Sequence, residues 1–184
     1  MIEQKVRYQQ RNCTDQEKIE AFLLRSRVGV LGMTGEMFPY AVPVNYVWHH
    51  GAFYFHGMGS GKKEELLNSD PPVCVTIYEE RGTVIDPVPC HADTAYMSVM
   101  IFGRTEKVRD FSEAAGVLQL IVEKYLPDFY SQPLSGTLVE KYRSGHDGKG
   151  VSVYRVVPQQ LTAKENTADG EQIFQQMKPM SDPK

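Results

Sequence analysis

Several common signatures are missing from this sequence, and each absence narrows what it encodes. Its three cysteines, Cys13, Cys74 and Cys90, include no CxxC pair and cannot all be bridged within one chain. That argues against a disulfide framework or a structural zinc site, so no metal is expected, and it suits a reducing compartment. No apolar run approaches the roughly 20 residues needed to span a bilayer. The opening MIEQKVRYQQRN has no apolar core of signal-peptide type, so no membrane association is expected and the default location is the cytoplasm. Charge of one sign is not in excess either: a formal net charge of -3 gives no electrostatic reason to expect nucleic acid. No GxGxxG opens a helix after the first expected strand, which disfavours a Rossmann domain.

What is present is an ordinary globular composition, 41% hydrophobic and 23% charged over 184 residues, enough for one domain with a real core. We expect that domain over residues 1–166, followed by a tail, 167–184, with few apolar residues apart from Ile173, Phe174 and the methionines. Such a tail is expected to be partly disordered unless a partner covers it.

Thr14-Asp15-Gln16-Glu17 reads as a capping box, and Ile19, Phe22 and Leu23 recur at helical spacing, predicting an amphipathic helix over 15–26. Strands are predicted at Val28–Met33, Tyr40–Trp48 and Ala52–His56, the last two joined by His49-His50-Gly51. A short helix over Lys62–Asn68 is stopped by Asp70-Pro71-Pro72, and Val73–Glu80 follows as a strand. Residues 81–94 read as irregular, and Ala95–Arg109 as a long bent strand with a bulge at Gly103. Ser112 is expected to cap a helix that Pro127 ends, before a short helix over Gly136–Arg143 and a last strand over Val151–Val157. Antiparallel strands in this order, with one helix before them and one before the last, predict a mainly β fold: a six-stranded antiparallel barrel, closed or partly closed, with flanking helices.

One stretch carries most of the chemistry: Phe53-Tyr-Phe-His-Gly-Met-Gly-Ser-Gly-Lys-Lys63. A strand ends in a histidine, three glycines follow, and paired lysines open a helix. Free backbone amides, a helix N-terminus and two ammonium groups together suit an anion such as phosphate. The same residues also make an ordinary glycine-rich turn with solvated lysines, and the segment by itself allows both.

Three segments in fixed order settle which reading to follow. Pro43-Val-Asn-Tyr-Val-Trp48 leads to the strand ending Phe55-His56, then come the Gly-rich turn with Lys62-Lys63 and Tyr96-Met-Ser-Val-Met-Ile-Phe-Gly103. This set resembles the FMN-binding split barrels related to pyridoxamine 5′-phosphate oxidase. Through PVNYV, FHxxxxGKK and a closing VYRV it is most similar to the nitroimidazole-resistance type, over residues 20 to 165. The resemblance implies a homodimer with FMN at the subunit interface. It implies that Lys62 and Lys63 hold the phosphate, assisted by Ser60 and the glycine amides, because a dianion needs charge-assisted donors to offset its lost hydration. It implies that the backbone of Val42, Pro43, Val44, Asn45, Tyr46 and Val47 meets the polar edge of the isoalloxazine as a strand would. Asn45 is expected to be a buried, hydrogen-bonded amide. His56 and Gly57 fall beside the flavin, with His56 suited to proton delivery or to substrate contact near the ring, and Ser98 falls where the oxidases usually carry a glutamine.

The function implied is FMN-dependent reduction of a small aromatic or nitro-aromatic acceptor, with an external electron donor. Two alternatives share these motifs: an FMN-storing protein without turnover, and a haem-binding split barrel with His56 or His91 as axial ligand. The final strand lacks the arginine- and histidine-bearing segments by which the oxidases grip their substrate, so vitamin B6 oxidation is not expected. Cys90-His91 and His49-His50 read as loop and turn residues.

Overall fold

In the computed structural model, which describes residues 4–168 and 170–174, six antiparallel strands close into a barrel. They are β1 (Val28–Met33), β2 (Tyr40–His49), β3 (Ala52–Met58), β4 (Pro72–Val84), β5 (Asp93–Lys107) and β6 (Val151–Asn166). Their hydrogen-bonded order is β1-β2-β3-β6-β5-β4, with β4 returning to β1. The β2–β3 turn has two residues, His50 and Gly51, at φ of 47° and 73°, the left-handed pair that matches the twist of a hairpin.

Among the described residues four α-helices accompany the barrel: α1 (Gln16–Arg25), α2 (Lys62–Leu67), α3 (Phe111–Tyr125) and α4 (Gly136–Lys141). Two of the expected caps move by one or two residues. Asp15 rather than Thr14 opens α1, accepting the Lys18 amide at 3.0 Å, and Asp110 rather than Ser112 opens α3, accepting the Glu113 amide at 2.7 Å. A carboxylate adds charge to the capping bond and so outcompetes a neighbouring hydroxyl at a helix N-terminus.

Two strands run further than their sequence pattern suggests, and in both a bulge hides the continuation. Glu80 pairs with Tyr96 but Gly82 with Ala95, so Arg81 is an extra residue on β4, and Gly82 takes a φ of 114°. Residues through Val84 then still pair with β5, which leaves only 85–92 as the loop, with a 3-10 turn at Pro89–His91. On β6, Pro158 pairs with Gly103 and Gln160 with Phe102, so the bulge foreseen at Gly103 has its extra residue, Gln159, on the opposing strand. Pro158 lacks a donor, and beside a bulge none is demanded of it; β6 passes it and ends at Asn166 rather than Val157.

Apolar residues form two layers. Inside the barrel, Leu31, Tyr46, Phe53, Phe55, Ile77 and Ile101 pack together, joined by Phe22 and Leu23 of α1 and by Leu67 of α2. Outside it, Val47, Tyr54 and Val153 are covered by Ala114, Val117 and Ile121 of α3 and by Val139 of α4. Among the described residues the outer face of β1, β4 and β5 has no such cover, and Val28, Val30, Tyr78 and Met100 are exposed there. Part of the expected tail is attached: the Phe174 amide donates to the Thr83 carbonyl at 2.8 Å, beyond a 3-10 turn at Gly170–Gln172. Residues 175–184, where the rest of that tail lies, are outside the described residues.

Candidate functional site

The barrel is closed, but β2 and β3 part company early. They pair only from Tyr46↔Phe55 to His49↔Ala52. Beyond that, Tyr40–Asn45 continue along β1 and His56–Met58 along β6. Each of the two strands therefore has one edge with no strand partner among the described residues, and a backbone edge of that kind seeks hydrogen bonds. Where β1 ends, the Tyr46 amide donates to the Tyr125 hydroxyl of α3 at 2.9 Å, which fixes the course of β2.

Lys63 reaches back into the split. Its ammonium donates to the His56 carbonyl at 3.3 Å and lies 5.7 Å from the centre of the Phe55 ring. Gly57 makes room for it: a Cβ there would stand 2.7 Å from Lys63 Nζ. Burial lowers the Lys63 pKa, against the opposing pull of the Glu64 charge, so a nearby anion would stabilise this half-buried cation. Lys62, one residue earlier, is exposed and only loosely paired, 4.0 Å from a Glu36 carboxylate that is itself in solvent. The helix they open has six residues and Gly61 as its uncapped start. Its dipole is correspondingly small, so anion affinity in this turn rests on the lysines more than on the helix end.

The next residue anchors the helix. Glu64 is buried, with Lys107 Nζ at 2.5 Å, the Ser152 hydroxyl at 3.0 Å and the Tyr154 hydroxyl also donating to it. Burial alone would raise its pKa; the bonds from Lys107, Tyr154 and Ser152 outweigh that and hold it below the usual carboxylate range. Burial, with Glu64 close by, pushes the Tyr154 hydroxyl far up, so it stays a donor.

His56 faces out of the barrel at the junction of two clefts. One, of about 390 Å³, is polar, with Lys63, Gly57, Ser144 and His146 in its walls. The other, of about 310 Å³, is an apolar slot between α3 and α4, with Leu118, Ile121, Val122, Leu138 and Val139 in its walls. His56, Tyr142 and Val151 line both. The imidazole remains open to solvent on one side, yet the cleft walls withdraw enough water to lower its pKa, and the Lys63 charge lowers it further. It is therefore neutral at pH 7, with one nitrogen able to donate and the other to accept.

The other expected site residues are placed less uniformly. Val42, Val44 and Tyr46 turn into the barrel, Tyr46 donating to the Leu23 carbonyl at 2.8 Å. Val47 is buried beneath α3, while Pro43 and Asn45 are exposed. Asn45 is thus not the buried amide expected, because odd-numbered residues of β2 point out of the barrel and α3 covers only Val47 among them. The Ser60 hydroxyl is engaged by Asp147 at 2.5 Å, which ties the Gly-rich turn to the loop before β6. Ser98 sits on the uncovered face, opposite Tyr78 and Lys164. Ser98 stands far along β5 from Lys107, the residue of that strand that reaches Glu64 beside Lys63, so a single chain does not bring Ser98 to Lys63. His91 lies on the exposed 85–92 loop, its Nδ1 3.4 Å from Asp86, and lines neither cleft. Among the described residues no group of three or more His, Cys, Asp or Glu side chains could hold a metal ion, and no helix is long and apolar enough to cross a membrane.

Reading by motif missed Glu64, Lys107, Ser152 and Tyr154. The signal was available in part: Ser152 and Tyr154 are polar residues on the inward rows of a strand, and an inward hydroxyl needs a partner. The α3–α4 slot had no comparable signal, since its walls look like any amphipathic helix face.

Residues 15–165 match a family model described as pyridoxamine 5′-phosphate oxidase. No curated protein matches the chain in sequence. Among solved structures it is similar to one described as a candidate 5-nitroimidazole antibiotic resistance protein from Bacteroides thetaiotaomicron. That pair shares 27% identity with a TM-score of 0.64, over 83% of this chain and 85% of that one. The flavocytochrome Anf3 from Azotobacter vinelandii shares the fold at 22% identity and a TM-score of 0.73, over 97% of this chain and 87% of its own. An FAD and haem binding protein from Mycobacterium smegmatis does so at 15% identity and a TM-score of 0.70, over 86% of this chain and 74% of its own.

Proposed function

The chain belongs to the pyridoxamine 5′-phosphate oxidase family, and within it we propose an FMN-binding, homodimeric flavoprotein that reduces small aromatic or nitro-aromatic compounds. The observation that carries this reading is the half-buried Lys63 ammonium lying over Gly57 at the end of the β2–β3 split, with Lys62 beside it. A cation held in a cradle that a Cβ would fill suits a phosphate, whose charge offsets the cost of keeping the ammonium out of water. Lys62 and Lys63 hold the FMN phosphate in this reading, and the unpaired edge of β2 over Val42–Val47 takes the polar edge of the ring system. Ser60 joins the phosphate only by exchanging its bond to Asp147.

Bound FMN supplies hydride and single-electron transfer. His56, neutral and open to solvent, would relay a proton to the acceptor, one ring nitrogen giving its proton up as the other takes one from water, and the electrons would come from an external donor. Ser98 meets the flavin only across a subunit boundary, which accords with a cofactor shared by two copies. Arg155, the one arginine in Val151–Val157, is bound to Glu106 at 2.8 Å and to Glu113 at 3.2 Å; it is not free to grip a phosphorylated vitamin, so B6 oxidation is not part of this reading. Three unpaired cysteines suit a reducing cytoplasm.

Haem is the competing ligand, favoured by the place of His56 at the mouth of an apolar slot; two structures similar in fold are described as a flavocytochrome and as an FAD and haem binding protein. A visible spectrum of the purified protein separates the two. We expect a yellow protein with flavin bands, its cofactor released as FMN rather than FAD; a Soret band without flavin bands would favour haem. Replacing both Lys62 and Lys63 with alanine should weaken FMN binding at least tenfold, because charge-assisted contacts are worth about 1.5–3 kcal/mol each. An unchanged affinity, read by quenching of flavin fluorescence, would remove the site assignment.

A further inference from the structure

We propose that the apolar slot between α3 and α4 is the binding site of the electron acceptor, and that it takes a neutral, planar molecule of one or two aromatic rings whose reacting end lies at His56. The assignment rests on the flavoprotein reading above and extends it to a place and a class of ligand.

Four observations carry it. The slot holds about 310 Å³, at the small end of the range of roughly 300–1,000 Å³ in which ligand cavities fall. Of its lining side chains only those of His56 and Tyr142 carry polar atoms, and none carries a fixed charge. An ionised ligand there would lose its hydration without a counter-ion, whereas an uncharged ring exchanges water for aliphatic contacts. The walls combine a fixed floor with an open rim: Ile121 and Val139 are packed into the outer core, while Leu138 and Tyr142, four residues apart, are 53% and 49% exposed. Finally, the slot shares His56, Tyr142 and Val151 with the polar cleft that holds Lys63, so a molecule in it reaches the side on which the cofactor is proposed. A second apolar cleft of about 460 Å³ shares Val122, Leu134 and Leu138 with the slot and runs on to Tyr130, leaving space for a substituent at the far end of the ring.

The test uses 1-aminoanthracene, a neutral aromatic whose fluorescence rises in apolar surroundings, titrated into the full-length protein with and without FMN. One molecule is expected to bind per chain and to be displaced by nitrobenzene. Two variants change the slot by different means: Leu138→Asp places a charge on its exposed rim, and Val122→Trp fills it. Both are expected to raise the dissociation constant of the probe at least tenfold while flavin fluorescence quenching still titrates as in the parent. Probe affinity unaffected by either variant would overturn the slot assignment, and tight probe binding that nitrobenzene does not displace would overturn its use by an acceptor. A protein that binds the probe in the slot but takes up no FMN would instead sink the flavoprotein reading, and with it the acceptor role.

Discussion

Gly57 illustrates how a residue can be legible as important and still be misread in kind. In the sequence it is one of three glycines before the lysines, and such runs suggest backbone conformations closed to other residues. Of the three, only Gly61 has a left-handed backbone, at a φ of 98°. What Gly57 supplies is space for the end of Lys63, 2.7 Å from Nζ and 2.9 Å from Cε for a Cβ built there. A lysine tail is flexible, so Gly57→Ala should displace the ammonium and leave the strand intact. We expect its thermal midpoint to change little, since an alanine at a compatible backbone angle shifts stability by about 1 kcal/mol or less, while FMN affinity falls at least tenfold. A lower midpoint with unchanged affinity would show that the glycine serves the fold and not the cation. Asn45 is the converse case. Its type suggested a buried amide, but the parity of β2 turns it outward, and parity can be read from a sequence only when one face is known to be covered.

Elements were readable where a single period runs unbroken. The helix over 15–26 and the strands over 28–33, 40–48 and 52–56 stand within a residue or two of their expected bounds. β4 and β6 were cut short because Arg81 and Gln159 each shift the alternation by one residue. The short helix α2 is a different matter: its few residues have little helical stability of their own, and it is held by tertiary bonds to Glu64 from Lys107 on β5 and from Ser152 and Tyr154 on β6. Glu64→Gln tests that anchor. Because Lys107 retains 37% of its side-chain exposure and can be rehydrated, the loss should lie toward the lower part of the 1–3 kcal/mol cost of an unsatisfied buried group, about 1–2 kcal/mol at pH 7. FMN affinity should fall too, since Lys62 and Lys63 ride on the same helix. The sign of the pH dependence follows from the lowered pKa. The advantage of Glu64 over Gln is fully present above the ordinary carboxylate value of 4.5 and is lost as pH falls through the lower folded value. Urea midpoints of the two proteins should therefore converge in acid; a gap independent of pH would mean that the carboxylate charge is not what holds α2.

For the molecule as a whole, the order of strands and helices was enough to foresee a six-stranded antiparallel barrel, closed or partly closed, because a succession of antiparallel strands with so few helices has few other ways to satisfy the edges of its sheet. It could not tell which outer face the helices cover, since that depends on how α3 and α4 return across the barrel. They cover β2, β3 and β6, and leave Val28, Val30, Tyr78 and Met100 exposed on β1, β4 and β5. The register makes one surface of that side: Val30 stands opposite Thr76, Thr76 opposite Met100, and Tyr78 opposite Ser98. An exposed apolar sheet face of this kind would be covered by the second copy in the proposed dimer, and it is the face that carries Ser98, the one proposed flavin contact that a single chain leaves far from Lys63. Dimerisation and cofactor binding should then fail together. Val30→Glu with Met100→Glu puts two charges in the middle of the face, where both side chains already reach solvent, so the barrel itself should fold as before. We expect the parent to sediment at twice its 20.8 kDa chain mass and the double variant at the monomer mass, with an unaltered circular dichroism spectrum and FMN affinity lowered at least tenfold. A monomeric variant that binds FMN as tightly as the parent would place the whole cofactor site within one chain and leave Ser98 without a part in it.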